Sequence, residues 1–192
     1  MCASANPDKV REMAEILADC DVVLDPRPAG VPDVDETAET LEGNARLKAE
    51  CIARSTGSAA LADDTGLEVE ALDGAPGVRS ARYAGEPSDA NANTTKLLTE
   101  LQSIGAIEPG ARRARFRTVM LISWPDGTET IAEGVVNGTI ADAPIGIGGF
   151  GYDPIFIPDE GDGRTFAQME PSEKHAISHR GRALRSLVEH LT

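Results

Sequence analysis

Val10, Met13, Ala14 and Leu17 recur at the three- and four-residue intervals that bring side chains onto one helical face. Asn6-Pro7 precedes them, a capping residue followed by a proline at the first helical position, so a helix is predicted from that point. A proline-rich loop over residues 25–35 leads to a second predicted helix over residues 40–56, with Gly57 as its stop. A third starts near Asp89 and carries Leu97, Leu98 and Leu101 before Gly105. The last carries Leu184, Leu187, Val188 and Leu191 on one stripe.

Between the helices the pattern changes. Ala59-Ala60-Leu61-Ala62 reads as a short buried strand that ends in a polar turn, Asp63-Asp64-Thr65-Gly66, while residues 67–72 alternate apolar and acidic positions as a half-exposed strand does. Residues 114–124 and 129–137 read as two strands joined by Pro125-Asp126-Gly127, a good turn sequence. Another strand is expected over residues 152–157. Interleaved helices and strands with a hairpin predict an α/β fold on a mixed sheet, as one domain over residues 1–192.

The formal net charge of −14 disfavours nucleic acid polymers and anionic membranes as partners, yet it leaves room for a small phosphorylated substrate held by a local group of cations. No apolar run approaches the ~20 residues that span a bilayer, and residues 1–7 lack a basic and apolar leader pattern. Cys2, Cys20 and Cys51 are sparse and far apart, which fits reduced thiols and a cytoplasmic location, and argues against a disulfide framework or structural zinc.

Several segments carry candidate chemistry. At Ser4-Ala5-Asn6-Pro7-Asp8-Lys9 the free N–H groups of a helix start, with the lysine charge, suit a phosphate; a plain capped helix with a solvated lysine is the alternative. Asp63-Asp64 after an apolar strand suits a hard cation and a water to be deprotonated, although a polar turn would look the same. Asn44 and Lys48 are four residues apart and share a helix face, with Glu36 just upstream. Gly146-Ile147-Gly148-Gly149-Phe150-Gly151 matches the dinucleotide fingerprint, but Pro154 blocks the helix that must follow. A glycine-rich loop where a flat base approaches the backbone and stacks is the better reading, beside a tight turn with core aromatics. Lys174, His179, Arg180 and Arg182 cluster around the start of the last helix, a position the helix dipole disfavours for cations, so another task is expected of them.

Taken in order, Ser4 to Lys9, Glu36-Thr37 through Asn44 to Ala49, Leu61 to Leu67, Gly74-Ala75-Pro76-Gly77-Val78-Arg79-Ser80-Ala81-Arg82-Tyr83, Gly148 to Phe156 and Ser178-His179-Arg180-Gly181 resemble the inosine triphosphate pyrophosphatase family, the XTP/dITP diphosphatases. The resemblance implies an elongated mixed β-sheet flanked by helices, two lobes with a central active-site cleft, and a homodimer. It implies hydrolysis of nonstandard purine nucleoside triphosphates (ITP, dITP, XTP) to monophosphate and pyrophosphate, by Mg2+-assisted attack of water on the α-phosphorus. Asp64 would then be the general base and, with Glu36, a metal ligand. Ser4, Ala5, Asn6, Pro7, Asp8, Lys9, Lys48, Thr65 and Lys174 would lie along phosphates or sugar. Phe150 would stack on the base, with Gly151, Tyr152 and Asp153 shaping its pocket and His179 and Arg180 reading its edge.

Four positions depart from the family's habit. Gly43 stands where an acidic residue is common, Thr65 for Ser, Ala38 for Gly and Leu41 for Phe. Two other readings compete: a Maf-type nucleotide pyrophosphatase, whose N-terminal signature differs from Asn6-Pro7-Asp8-Lys9, and a nucleotide-binding protein without catalysis, against which Glu36, Lys48 and Asp64 argue.

Overall fold

A computed structural model describes residues 1–18 and 22–191; Cys20 lies outside the described residues. Among these, five α-helices and five strands form (α1 Pro7–Ala18, α2 Leu41–Thr56, β1 Ala60–Val69, β2 Pro76–Gly77, α3 Ala90–Ser103, β3 Arg113–Ser123, β4 Glu129–Ile140, β5 Phe156–Pro158, α4 Pro171–Ile177 and α5 His179–Glu189). The sheet order is β2-β1-β3-β4-β5. β2 pairs antiparallel with β1, and β5 antiparallel with β4, while Cys2 makes a single parallel bridge to Leu61. The α/β fold is as expected, with antiparallel pairing at both ends of the five-stranded sheet and the Cys2 bridge as an added parallel contact.

Capping residues stand at the predicted helix starts. Asn6 Oδ1 accepts from the Asp8 N–H at 2.9 Å at the start of α1, Thr40 Oγ1 caps α2, and Asp89 caps α3. Gly57 ends α2 at φ 67°, the left-handed conformation that glycine adopts without a Cβ penalty. The Pro125-Asp126-Gly127 turn closes with Gly127 N–H on the Trp124 carbonyl at 3.0 Å.

Three expectations change. Asp63 and Asp64 do not end a strand. β1 runs straight through them to Val69 because Leu67 and Val69 are as buried as Leu61, and the apolar demand continues past the carboxylates. Residues 152–157 begin as a 3-10 helix, Asp153–Ile155, since Pro154 lacks the N–H that a ladder needs; the strand starts only at Phe156. The basic segment near the end divides into α4 and α5, with Ser178 between them as the C-cap of α4. Leu191 falls beyond α5 and is exposed.

The chain falls into two compact units, and the division passes inside β1, β3 and β4. The first comprises Met1–Asp64, Thr118–Gly134 and His179–Thr192. Its core packs Met13, Ile16 and Leu17 of α1 with Leu61, Met120 and Ile122 of the strands and Leu184 and Leu187 of α5; Trp124 packs against it and donates to Thr130 Oγ1 at 3.0 Å. The second comprises Thr65–Arg117 and Val135–Ser178. Its core joins Leu97 and Leu101 of α3 to Phe116, Phe156 and Phe166, with Phe116 and Phe156 ring centroids 4.7 Å apart. Among the described residues, no helix is long and apolar enough to cross a membrane.

Candidate active site

Strand geometry sends successive side chains to opposite faces. Asp63 and Asp64 are adjacent on β1 and so meet different partners. Asp63 lies on the side of Leu61 and takes Lys9 Nζ of α1 at 3.0 Å and Arg180 Nη2 of α5 at 3.4 Å. Asp64 meets α2 instead, accepting from Lys48 Nζ at 3.1 Å and from Asn44 Nδ2 at 3.2 Å.

The i, i+4 spacing of Asn44 and Lys48 places both on the face of α2 turned to Asp64. Each also reaches the loop before the helix. Lys48 Nζ donates to Glu36 at 2.8 Å, so one ammonium joins two carboxylates. Asn44 is fully buried, and its Oδ1 accepts from the Ala38 N–H at 2.9 Å. The loop bearing Glu36 is thereby tied to Asp64 through both residues.

Electrostatics separate the two neighbouring aspartates. Burial alone would raise both. At Asp63 it is overcome by the charges of Lys9, Arg180 and Lys48, which hold the carboxyl well below its usual range. At Asp64 burial prevails over Lys48 and Lys9, aided by the negative charges of Glu36 and Asp63, and the pKa rises. Lys48 is raised as well: burial opposes its charge, but Asp64, Asp63 and Glu36 outweigh that. Asp63 is thus a fixed anion and Asp64 a carboxylate with enhanced proton affinity.

The remaining predicted residues of the first unit fall in two groups. Ser4, Ala5, Asn6, Pro7, Asp8 and Lys9 form the entry to α1, where Ser4 Oγ accepts from the Asn6 N–H at 3.3 Å. His179 and Arg180 open α5 and are both buried. Arg180, expected at the base edge, is 1% exposed and engages Glu12 as well as Asp63.

The second unit holds the other predicted residues. Thr65 follows on β1 and is half-buried. Lys174 of α4, buried, donates to Asp153 Oδ2 at 2.7 Å, and the same oxygen accepts the Phe150 N–H at 2.8 Å. Lys174 Nζ stands 4.9 Å from the Phe150 ring centroid, a cation–π distance. The glycine loop is tight for a reason: a Cβ on Gly149, which has φ 66°, would collide with the Asp153 carboxylate. Gly151 also takes positive φ. Tyr152 belongs to the core and donates to the Ser80 carbonyl at 2.9 Å.

Two contributors escaped the sequence reading. Glu12, a buried glutamate one turn from Lys9 on α1, carries a signal in hindsight: it sits between the apolar positions of that helix. Arg27 donates to the Ala3 carbonyl at 2.6 Å and to the Pro32 carbonyl at 2.9 Å, joining the proline-rich loop to the chain just before Ser4. A single arginine among prolines gives no pattern to read.

Two departures noted above explain each other. A Cβ on Gly43 would stand 2.6 Å from the Ala38 Cβ, closer than real Cβ atoms approach. The Ala38 methyl fills the space that a larger residue at 43 would need.

An α/β fold whose β1, α2 and preceding loop join two carboxylates through one lysine, and whose second unit packs a glycine-loop aromatic beside a buried lysine, has the side chains of a protein that handles anionic ligands. A family model described as the Ham1 family matches residues 1–190, and the chain belongs to that family. It is 46% identical over 190 residues to the dITP/XTP pyrophosphatase of Streptomyces coelicolor, covering 97% of this chain and 93% of the relative. To the dITP/XTP pyrophosphatase of Porphyromonas gingivalis it is 48% identical, covering 98% and 95%. Among solved structures, the HAM1 protein from Coxiella burnetii superposes with a TM-score of 0.88 at 41% identity, covering 99% of this chain and 96% of that one.

Proposed function

We infer that this protein hydrolyses nonstandard purine nucleoside triphosphates (dITP, XTP and ITP) to the monophosphate and pyrophosphate. The names of its relatives supply the substrate class. The observation that carries the chemistry is the pairing of Glu36 and Asp64 through Lys48, beside an Asp64 whose proton affinity burial has raised.

Asp64 accepts the proton of the water that attacks the α-phosphorus; the new oxygen–phosphorus bond forms as the bond to the bridging oxygen breaks and pyrophosphate departs. Lys9 and Lys48 offset the charge of the phosphates, and Asp63 keeps Lys9 in place. Among the described residues no three His, Cys, Asp or Glu side chains gather into a metal cage. Two carboxylates suffice for Mg2+, which takes one or two from a protein and completes its shell with water and substrate phosphate. Glu36 and Asp64 would hold it, and when bound it supplies positive charge to the phosphate oxygens. Phe150 stacks on the base, with Lys174 and Asp153 fixing the loop that presents it. A homodimer and a cytoplasmic location complete the reading, on the strength of the family resemblance and the sparse cysteines.

The test is product analysis over a panel of ITP, dITP, XTP, GTP and ATP, with Mg2+ and with EDTA. The expected result is monophosphate plus pyrophosphate, only with metal, and fastest for the nonstandard bases. Orthophosphate and nucleoside diphosphate as first products would overturn it.

A further inference from the structure

A cavity of about 630 Å³ opens in the second unit and shares no residue with the charged clusters of the candidate active site. One wall is a face of α3, with Thr94, Thr95, Leu98 and Gln102; Arg112 and Asp142 line it as well. Its volume lies in the range that takes small organic metabolites, roughly 300–1,000 Å³.

Arg112 makes this more than a surface hollow. The residue is only 5% exposed, so its charge is largely removed from water. Its Nη1 donates to Asp142, whose side chain is 85% exposed, and its Nε donor has no acceptor among the described residues. A desolvated guanidinium with an unmet donor is costly, and an arginine fork is shaped for the paired oxygens of a phosphate or carboxylate. Asp142 occupies part of that role from an exposed position, from which it can swing into solvent and release the guanidinium. Hydroxyls of Thr94 and Thr95 and the amide of Gln102 add neutral hydrogen-bonding groups, and Leu98 adds an apolar surface for the body of a ligand.

We propose that this cavity binds a small phosphorylated metabolite, with its phosphate on Arg112 and its organic part along α3. The phosphate takes the place of Asp142 on the guanidinium. Because these residues are separate from the triphosphate cluster of the first unit, occupancy here does not depend on Lys9 or Lys48.

Isothermal titration calorimetry on the full chain in EDTA tests this, with ribose 5-phosphate and, separately, orthophosphate as titrants. Ribose 5-phosphate is expected to bind the wild type, and to bind at least about tenfold more weakly to Arg112→Gln. Since a buried arginine can matter for folding, Thr95→Val/Gln102→Leu serves as the second variant. It should show the same loss while keeping wild-type ITP hydrolysis. Lys9→Ala/Lys48→Ala should leave the affinity unchanged. Loss of binding in that variant, with retention in the cavity variants, would assign the heat to the triphosphate cluster and overturn the proposal. So would no binding at about 10 mM titrant, which is weaker than a built site of this size should give. Equal affinity for orthophosphate would remove the organic part of the assignment.

Discussion

Asp63 and Asp64 are consecutive residues whose proton affinities are driven in opposite directions, one down by Lys9 and Arg180 and the other up by burial. They share one peptide bond and lie on opposite faces of the strand. Asp64→Asn should therefore lower kcat by ~10²–10⁴ with the fold intact, as loss of a general base does. Asp63→Asn should instead lower stability by about 3 kcal/mol, since it removes the anion from a buried ion-pair network. Steady-state kinetics and urea denaturation of both variants check this. A dead but fully stable Asp63→Asn would reverse the assignment.

The Asp63 ion pairs also set a pH window. A carboxylate held below its ordinary pKa contributes stability that is complete above the unfolded value, near 4, and is lost as the pH falls through the folded one. In EDTA, wild-type stability should decline more steeply than that of Asp63→Asn as the solution is acidified below about pH 4. Parallel curves for the two proteins would remove Asp63 from the account.

Lys48 bears on the activity profile. Its charge lowers the Asp64 pKa against the effect of burial. In Lys48→Met that help is gone, Asp64 becomes a stronger base, and it stays protonated to higher pH. The acid limb of kcat/KM should move to higher pH, whatever happens to its height. The limb position across a pH series is the readout, because Lys48 is also a phosphate ligand; a limb that does not move contradicts the proposed role of Asp64.

Ala38 and Gly43 should behave as a coupled pair. Gly43→Glu alone meets the Ala38 methyl and should destabilise by about 1–3 kcal/mol, the usual effect of overpacking. Adding Ala38→Gly should recover most of it, as the acidic residue then gains from its place in the first turn of α2. A double-mutant cycle by thermal denaturation gives the coupling, and simple additivity would refute the contact.

In the second unit, Asp153→Ala takes away the carboxylate shared by the Lys174 ammonium and the Phe150 N–H. Stability should fall by about 3–5 kcal/mol, and Lys174→Met in the same chain should restore part of it. Phe150→Ala should raise KM while affecting kcat much less, since stacking contributes about 1–3 kcal/mol per base. An unchanged KM for ITP would remove Phe150 from the base site.

The helix caps and the apolar stripes of α1, α3 and α5 were legible because they depend on neighbours within one turn. What the sequence hid was mostly nonlocal. Asp63-Asp64-Thr65-Gly66 has the composition of a turn, and only the pairing of β1 with its neighbours shows it to be strand. Arg180 reads as a free cation near a helix start until Glu12 and Asp63, distant in sequence, claim it. Asn44 was visible as the helical neighbour of Lys48, but its second bond to the Ala38 backbone depends on how the loop folds back.

The aromatic residues are divided in a way that experiment can exploit. The chain has one tryptophan and two tyrosines. Trp124 packs on the core of the first unit, whereas Tyr83 and Tyr152 both belong to the second. Selective excitation of the indole therefore makes the protein report optically on the half that carries Lys9, Lys48 and Asp64, without any label. The two phenols, whose near-ultraviolet absorption lies under that of the indole, both belong to the other half.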